Sequence, residues 1–317
     1  SMDETGVLSF PPAGTDRYRD GLLRFIDREV IRGAKFKIVL DYAFGSASAI
    51  FPSVLGQLGV EVISLNAYLD ERRISKTTEE FRRALEQLSN IVRTLGADLG
   101  LLFDTGGEKI FLVDDKGEIL SGDLSLALMV LLAMRTHAPG IIGVPVTASQ
   151  VLERLAEESG FTLLRCRSNP RALMETAMSQ GVVLVGEERG GFIFPAFQPA
   201  FDGMAAALEL LEMMARLELR LHQLTRAVPE SHVVRAEVPC PNERKGAVMR
   251  RLLEETRGKT VELVEGVRVR LGEAWLAAIP DADRACFHVV GESGDRERAR
   301  SLVEDYRERI AAWRRDA

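Results

Sequence analysis

Apolar positions change their period repeatedly along the chain, and each change marks an element. Tyr18, Leu22, Leu23, Phe25, Ile26 and Val30 recur every three or four residues and predict one helix from Asp16 to about Gly33. Lys37-Ile-Val-Leu-Asp41 is an apolar run of strand length, residues 50–58 return to a helical period, and residues 60–65 are strand-like again. Strand, turn, helix, strand is a βαβ unit and calls for parallel strands, which need a crossover to connect them. A long amphipathic helix over 78–95 follows, then strands at 99–103 and 110–113. The alternation then repeats. Helices at 122–134, 149–159 and 171–180 interleave with strands at 141–144, 161–165 and 182–185, and one long helix is predicted over 201–224. Past a polar stretch at 226–229 the pattern changes. Strands at 233–238, 260–264, 267–271, 274–279 and 285–290 accompany helices at 245–256 and from Asp295 onward. That is an α+β lobe built on an antiparallel meander. The segmentation is a linker at 1–15, α/β units at 16–119 and 120–226, and an α+β unit at 227–317.

Composition narrows the function classes. The 317 residues are 46% hydrophobic and 28% charged, which supplies apolar material for more than one core and excludes disorder as a description of the whole chain. Apolar stretches such as 124–134 fall short of a bilayer span, so no membrane role is expected. A net charge of −6 argues against nucleic acid as a partner. Ser1-Met2 resembles a cloning remnant ahead of a start codon, and no basic n-region with an apolar core opens the chain, so a cytoplasmic location is expected. Cys166, Cys240 and Cys286 are far apart without CxxC spacing, and neither a disulfide framework nor a zinc site follows. His137, His222, His232 and His288 show no ligand or triad neighbour in sequence and are expected to be solvated or packed.

Candidate chemistry sits in four loops after strands, where α/β proteins place ligands. Residues 41–48 (Asp-Tyr-Ala-Phe-Gly-Ser-Ala-Ser) precede a helix but lack a phosphate-binding glycine motif. Asp104-Thr-Gly-Gly-Glu108-Lys109 offers two carboxylates in a glycine turn, a poor cage for a hard cation. Gly186-Glu187-Glu188-Arg189-Gly190-Gly191 could accept hydrogen bonds from sugar hydroxyls. Ile279-Pro-Asp281-Ala-Asp283-Arg284 carries two aspartates and should repel anions.

In order and spacing these segments resemble the α-D-phosphohexomutases, the phosphomannomutase/phosphoglucomutase family, from about Asp16 to Arg309. Lys37-Ile-Val-Leu-Asp41 with Gly59-Val-Glu-Val-Ile63 is similar to the start of that family's second domain. Ala97-Asp-Leu-Gly-Leu-Leu-Phe-Asp104 resembles the approach to its magnesium loop, and Val113-Asp-Asp-Lys-Gly-Glu-Ile-Leu-Ser-Gly-Asp123 the lead into its third domain. Gly186-Glu187-Glu188 with Asp202-Gly203 resembles the sugar-reading loop, and residues 266–292 resemble the fourth domain. The resemblance implies two α/β domains with mixed sheets and a C-terminal α+β, TBP-like domain.

Departures fall on the loops. The family's first domain, with its phosphorylated serine in a Thr-Ala-Ser-His-Asn-Pro loop, has no counterpart in residues 1–15. The magnesium loop Asp-Gly-Asp-Gly-Asp-Arg becomes Asp104 to Lys109, with Gly106 for the middle aspartate. The sugar loop loses its serine and histidine. The phosphate loop Arg-Pro-Ser-Gly-Thr-Glu-Pro aligns with residues 279–285, putting Asp281 and Asp283 at hydroxyl positions and Arg284 at the glutamate. Phosphoryl transfer relies on positioned positive charge. The resemblance therefore implies a catalytically degenerate module, the structural or regulatory C-terminal part of a mannose-1-phosphate guanylyltransferase-type nucleotidyltransferase. In that reading its partners are a fused nucleotidyltransferase domain, a sugar phosphate or nucleotide sugar, and further copies of the chain. No cofactor is expected, or weak magnesium at Asp104 and Glu108, with Glu187, Glu188 and Arg189 as weak substrate contacts. The alternative is a fragment of an active phosphomannomutase/phosphoglucomutase whose serine domain lies elsewhere.

Overall fold

The computed structural model describes residues 13–73 and 77–316. Most of the expected linker at 1–15 lies outside the described residues. The single helix expected from Asp16 is two, α1 (Gly14–Phe25) and α2 (Arg28–Ala34). Asp27 divides them, because its carboxylate accepts from the backbone N–H groups of Glu29 and Val30 and so caps α2.

The first sheet runs β2 (Glu61–Leu65), β1 (Lys37–Asp41), β3 (Leu99–Phe103), β4 (Ile110–Val113), with β1 parallel to both β2 and β3 and β4 antiparallel at the edge. The connections include α3 (Phe51–Gln57) and α4 (Thr78–Leu95). Thr77 and Glu80 form a reciprocal capping box at the start of α4, and Gly96 ends it in the left-handed conformation.

The second sheet repeats that topology: β6 (Thr162–Cys166), β5 (Ile141–Pro145), β7 (Val182–Gly186), β8 (Phe192–Ile193), again two parallel pairings and an antiparallel edge. The two-residue β8 is too short to leave a period in the sequence. Around this sheet lie α5 (Gly122–Thr136), α6 (Val151–Ser159), α7 (Pro170–Ala177) and α8 (Gly203–Leu217). Helix α5 is buried from Ser125 through Met134, so it is apolar on every side rather than striped. One hydrophobic cluster runs from Leu22 and Leu55 through α5 to Leu211 and joins both sheets. The long helix expected over 201–224 breaks after Leu217, where Glu218 turns left-handed (φ 52°), and resumes as α9 (Leu221–Thr225).

The third sheet is antiparallel throughout: β10 (Val261–Glu262), β11 (Val267–Leu271), β12 (Ala274–Pro280), β13 (Cys286–Ser293), β9 (His232–Pro239). Helices α10 (Asn242–Glu255) and α11 (Arg296–Asp316) cover one face through Val248, Leu252, Tyr306 and Ile310. The other face places Trp275, Ala277, Ile279 and Val290 against Val146, which follows β5. That contact seats the third sheet on the second α/β unit. Glu292 reinforces it: wholly buried on β13, it accepts from the Gln150 backbone N–H at 2.8 Å and from Ser149, Ser231 and the Trp275 indole.

Candidate functional site

Where the third sheet meets the second unit, a cavity of about 560 Å³ opens. It collects two of the four loops, bringing Glu187, Glu188 and Arg189 opposite Asp281, Asp283 and Arg284. Asp104 and Glu108 do not line it. They lie one ion pair away, because Lys109 Nζ donates to Glu187 Oε1 at 2.7 Å and the Lys109 backbone bridges to Gly191.

The 186–191 loop is held by its backbone. Glu187 N–H donates to Gly191 O, and Gly190 takes φ 85° with its Cα so close to Ile110 that a Cβ would lie 2.6 Å from that carbonyl oxygen. Only glycine fits there. The buried Glu187 carboxylate is committed to Lys109, whereas Glu188 Oε2 is buried without a hydrogen-bond partner. Burial pushes the Glu188 carboxyl up, with Arg235 opposing the shift from 3.8 Å. Arg235 itself forms a two-pronged bond to Asp123, at 2.7 Å on each oxygen. Arg189 is exposed at the rim and has no ion pair among the described residues.

The turn between β12 and β13 differs from the simple anion-repelling loop that the sequence suggested. Asp281 bends its carboxylate inward, accepting from the backbone N–H of Arg284 at 2.8 Å, from His288 Nε2 at 2.7 Å and from Asp283 N–H at 2.9 Å. These donors, the Arg284 amide foremost, hold the Asp281 carboxyl well below the usual carboxylate range. Lys245 Nζ ties the turn by donating to the carbonyls of Asp281 and Arg284, each at 2.6 Å. The Arg284 guanidinium lies across Glu237 at 2.8 and 2.5 Å. Asp283 remains exposed.

Other lining residues carried no local signal in sequence. Thr147, Ser168, Asn169, Arg235, Glu265 and His288 come from five separate segments. Asn169 could have been flagged only as a helix cap, since its side chain accepts from Ala172 N–H ahead of Pro170. Thr147 Oγ1 and Ser168 Oγ, like Glu188 Oε2, are buried without a hydrogen-bond partner. His288 was expected to be merely packed or solvated, yet it bonds Asp281.

The two α/β units also match family descriptions. Residues 16–117 match phosphoglucomutase/phosphomannomutase α/β/α domain II, and residues 121–232 match α/β/α domain III. The chain belongs to the phosphoglucomutase/phosphomannomutase family. A Methanopyrus kandleri relative named "probable phosphoglucosamine mutase" is 31% identical over 287 residues, covering 89% of this chain and 63% of that protein. A Thermococcus kodakarensis phosphoglucomutase/phosphomannomutase is 24% identical, covering 90% and 63%. The chain thus spans less than two thirds of the length of these mutases. Among solved structures, a Burkholderia thailandensis member of the family superposes with a TM-score of 0.78 at 20% identity, covering 94% of this chain and 64% of that one. An Aspergillus fumigatus N-acetylphosphoglucosamine mutase in complex with GlcNAc-6P and magnesium gives 0.65 at 15% identity, covering 92% and 69%. At these identities the superpositions speak for the fold alone.

Two expectations from sequence are corrected here. The degenerate regulatory part of a nucleotidyltransferase is overturned, because the relatives that align along about nine tenths of the chain are named as sugar-phosphate mutases. The expectation of no cofactor is corrected too, since a solved protein of this fold, the A. fumigatus N-acetylphosphoglucosamine mutase, is described in complex with magnesium. Among the described residues, the oxygen donors that could take part in holding such an ion are the carboxylates of Asp104 and Glu108, incomplete as a cage without water or phosphate oxygens. A Cβ on Gly106 would lie 3.8 Å from both Asp104 Oδ2 and the Glu108 carboxyl carbon, so the two carboxylates approach the same glycine. Magnesium is commonly held by one or two carboxylates, with water and phosphate oxygens completing its shell.

Proposed function

We propose that this chain is the sugar-phosphate-binding portion of an active phosphohexomutase, an intramolecular phosphotransferase acting on a hexose or amino-hexose phosphate. The observation that carries the reading is the group of three buried, unpartnered polar atoms, Thr147 Oγ1, Ser168 Oγ and Glu188 Oε2, on residues that line one cavity. Buried polar groups are normally satisfied. Three such groups around one space suit a polyhydroxyl ligand that completes their hydrogen bonds. A Glu188 carboxyl raised toward its protonated form can donate to a sugar hydroxyl as well as accept from one.

Among the described residues at the rim, Arg189 is the cation without an ion pair, and the phosphate is assigned to it, with Arg284 available if it exchanges Glu237 for the ligand. Asp281 and Asp283 frame the same wall. Asp104 and Glu108 would hold magnesium, which supplies charge neutralisation to phosphoryl oxygens when bound. The seryl phosphate donor would come from a first domain in the longer protein. In this reading the units are 16–119, 120–226 and 227–317, the last a TBP-like α+β domain.

Calorimetric titration with glucosamine 6-phosphate and glucose 6-phosphate tests the proposal. Saturable binding of at least one, with Kd at or below about 1 mM (about −4.1 kcal/mol) and roughly tenfold weaker in Arg189→Ala, is expected. Folded protein that shows no saturation with either sugar up to about 10 mM would refute it.

A further inference from the structure

The turn that replaces the family's phosphate loop brings together a second kind of chemistry. We propose that Asp281, Cys286 and His288 form a binding site for a divalent transition-metal cation of the zinc class. Their ligand atoms, a carboxylate oxygen, a thiol sulfur and an imidazole nitrogen, all lie within 4.8 Å of one another. No other set of three His, Cys, Asp or Glu side chains among the described residues meets that condition.

Local structure explains the grouping. Cys286 and His288 are two apart on β13, so their side chains leave the same face of the sheet. Asp281 returns to them across the hairpin, with its N–H donating to Cys286 O at 3.0 Å. The cations nearby are already occupied: Lys245 by two backbone carbonyls and Arg284 by Glu237. The carboxylate of Glu237 lies 3.8 Å from His288 Nδ1, the ring nitrogen that a metal on Nε2 would leave free. A carboxylate behind a ligating histidine is a recurrent outer-shell arrangement.

One oxygen, one nitrogen and one sulfur donor do not suit magnesium or calcium, which take oxygen. Thiolate and imidazole together select zinc-class ions. On binding, the Cys286 thiol gives up its proton to solvent, the His288 ring proton shifts through solvent from Nε2 to Nδ1 beside Glu237, the Asp281–His288 hydrogen bond opens, and three bonds to the metal form. Three protein ligands leave a fourth position for water or another anion. Asp281 and His288, two of the three ligands, line the 560 Å³ cavity. The site stands whether or not the cavity takes a sugar phosphate.

Cobalt(II), added to chelator-treated chain without any sugar phosphate, serves as the spectroscopic probe. One equivalent should bind with a thiolate-to-cobalt charge-transfer band, release about one proton per ion, and be displaced by zinc. Cys286→Ser should abolish the band, whereas Cys166→Ser and Cys240→Ser should leave it unchanged. His288→Gln, at a part-buried position, should weaken binding by about tenfold or more in protein shown to be folded. A folded wild-type chain without the band, or a band that survives Cys286→Ser or is unaffected by His288→Gln, overturns the proposal.

Discussion

Removing the Glu292 side chain should loosen the third sheet from the second unit and unfold the site with it. Glu292 is wholly buried and gathers donors from Gln150 N–H, the Trp275 indole, Ser149 and Ser231. The serine hydroxyls can rotate toward other acceptors. The part-buried Gln150 amide and the buried Trp275 indole have fixed directions, and in Glu292→Ala both lose their acceptor. Each such orphan costs about 1–3 kcal/mol, so the loss should be about 2–6 kcal/mol before any cavity term. Glu292→Gln keeps the shape and one acceptor oxygen and should lose roughly half as much. Both tryptophans, Trp275 and Trp313, belong to the third unit, so their fluorescence during urea unfolding reports on that unit. With a slope of about 2 kcal/mol/M, the Ala variant should shift the midpoint down by about 1 M or more. A midpoint within about 0.2 M of wild type would show that these donors are satisfied in another way and that the clamp reasoning is wrong.

Two further outcomes are expected. Gly106→Asp adds a third carboxylate at a position where its Cβ meets nothing closer than 3.6 Å, and magnesium affinity measured by calorimetry should rise by roughly tenfold, about 1.4 kcal/mol; unchanged affinity would count against residues 104–108 as the metal loop. Burial, with Glu212 adding to it, pushes the Glu209 carboxyl up to about 8, so its contribution to stability is full below its unfolded pKa near 4.5 and is lost as pH rises toward 8. Glu209→Gln should flatten the melting-temperature profile between about pH 5 and 8, removing a dependence worth up to about 5 kcal/mol, and parallel profiles for the two proteins would contradict the assignment.

Local periodicity and capping determined much of the secondary structure. Strands β3, β4 and β11 and helix α4 carry their bounds in the sequence, because strand-length apolar runs, a Thr77–Glu80 box and Gly96 are local signals. The two helix breaks, at Asp27 and Glu218, lie inside continuous apolar periods. The first break is a side-chain cap; the second is a left-handed residue with no glycine to announce it.

Loop identity was equally legible, since Glu187 to Arg189 and Asp281 to Arg284 follow strand ends. What those loops do was not. Whether a carboxylate repels an anion depends on its partners, and those arrive through tertiary structure: Lys109 from 78 residues away for Glu187, His288 for Asp281, Glu237 for Arg284. Cys286 and His288 looked inert because sequence spacing finds metal ligands only when they are neighbours on one segment. A hairpin adds Asp281 from the preceding strand end. Thr147, Ser168 and Arg235 share no motif at all: the pairing of β5 with β6 brings the first two together, and Arg235 joins them because the third sheet packs on Val146. The chain therefore encodes its elements locally, while the charge state and openness of the cavity are set by which distant groups the packed sheets bring within hydrogen-bonding range.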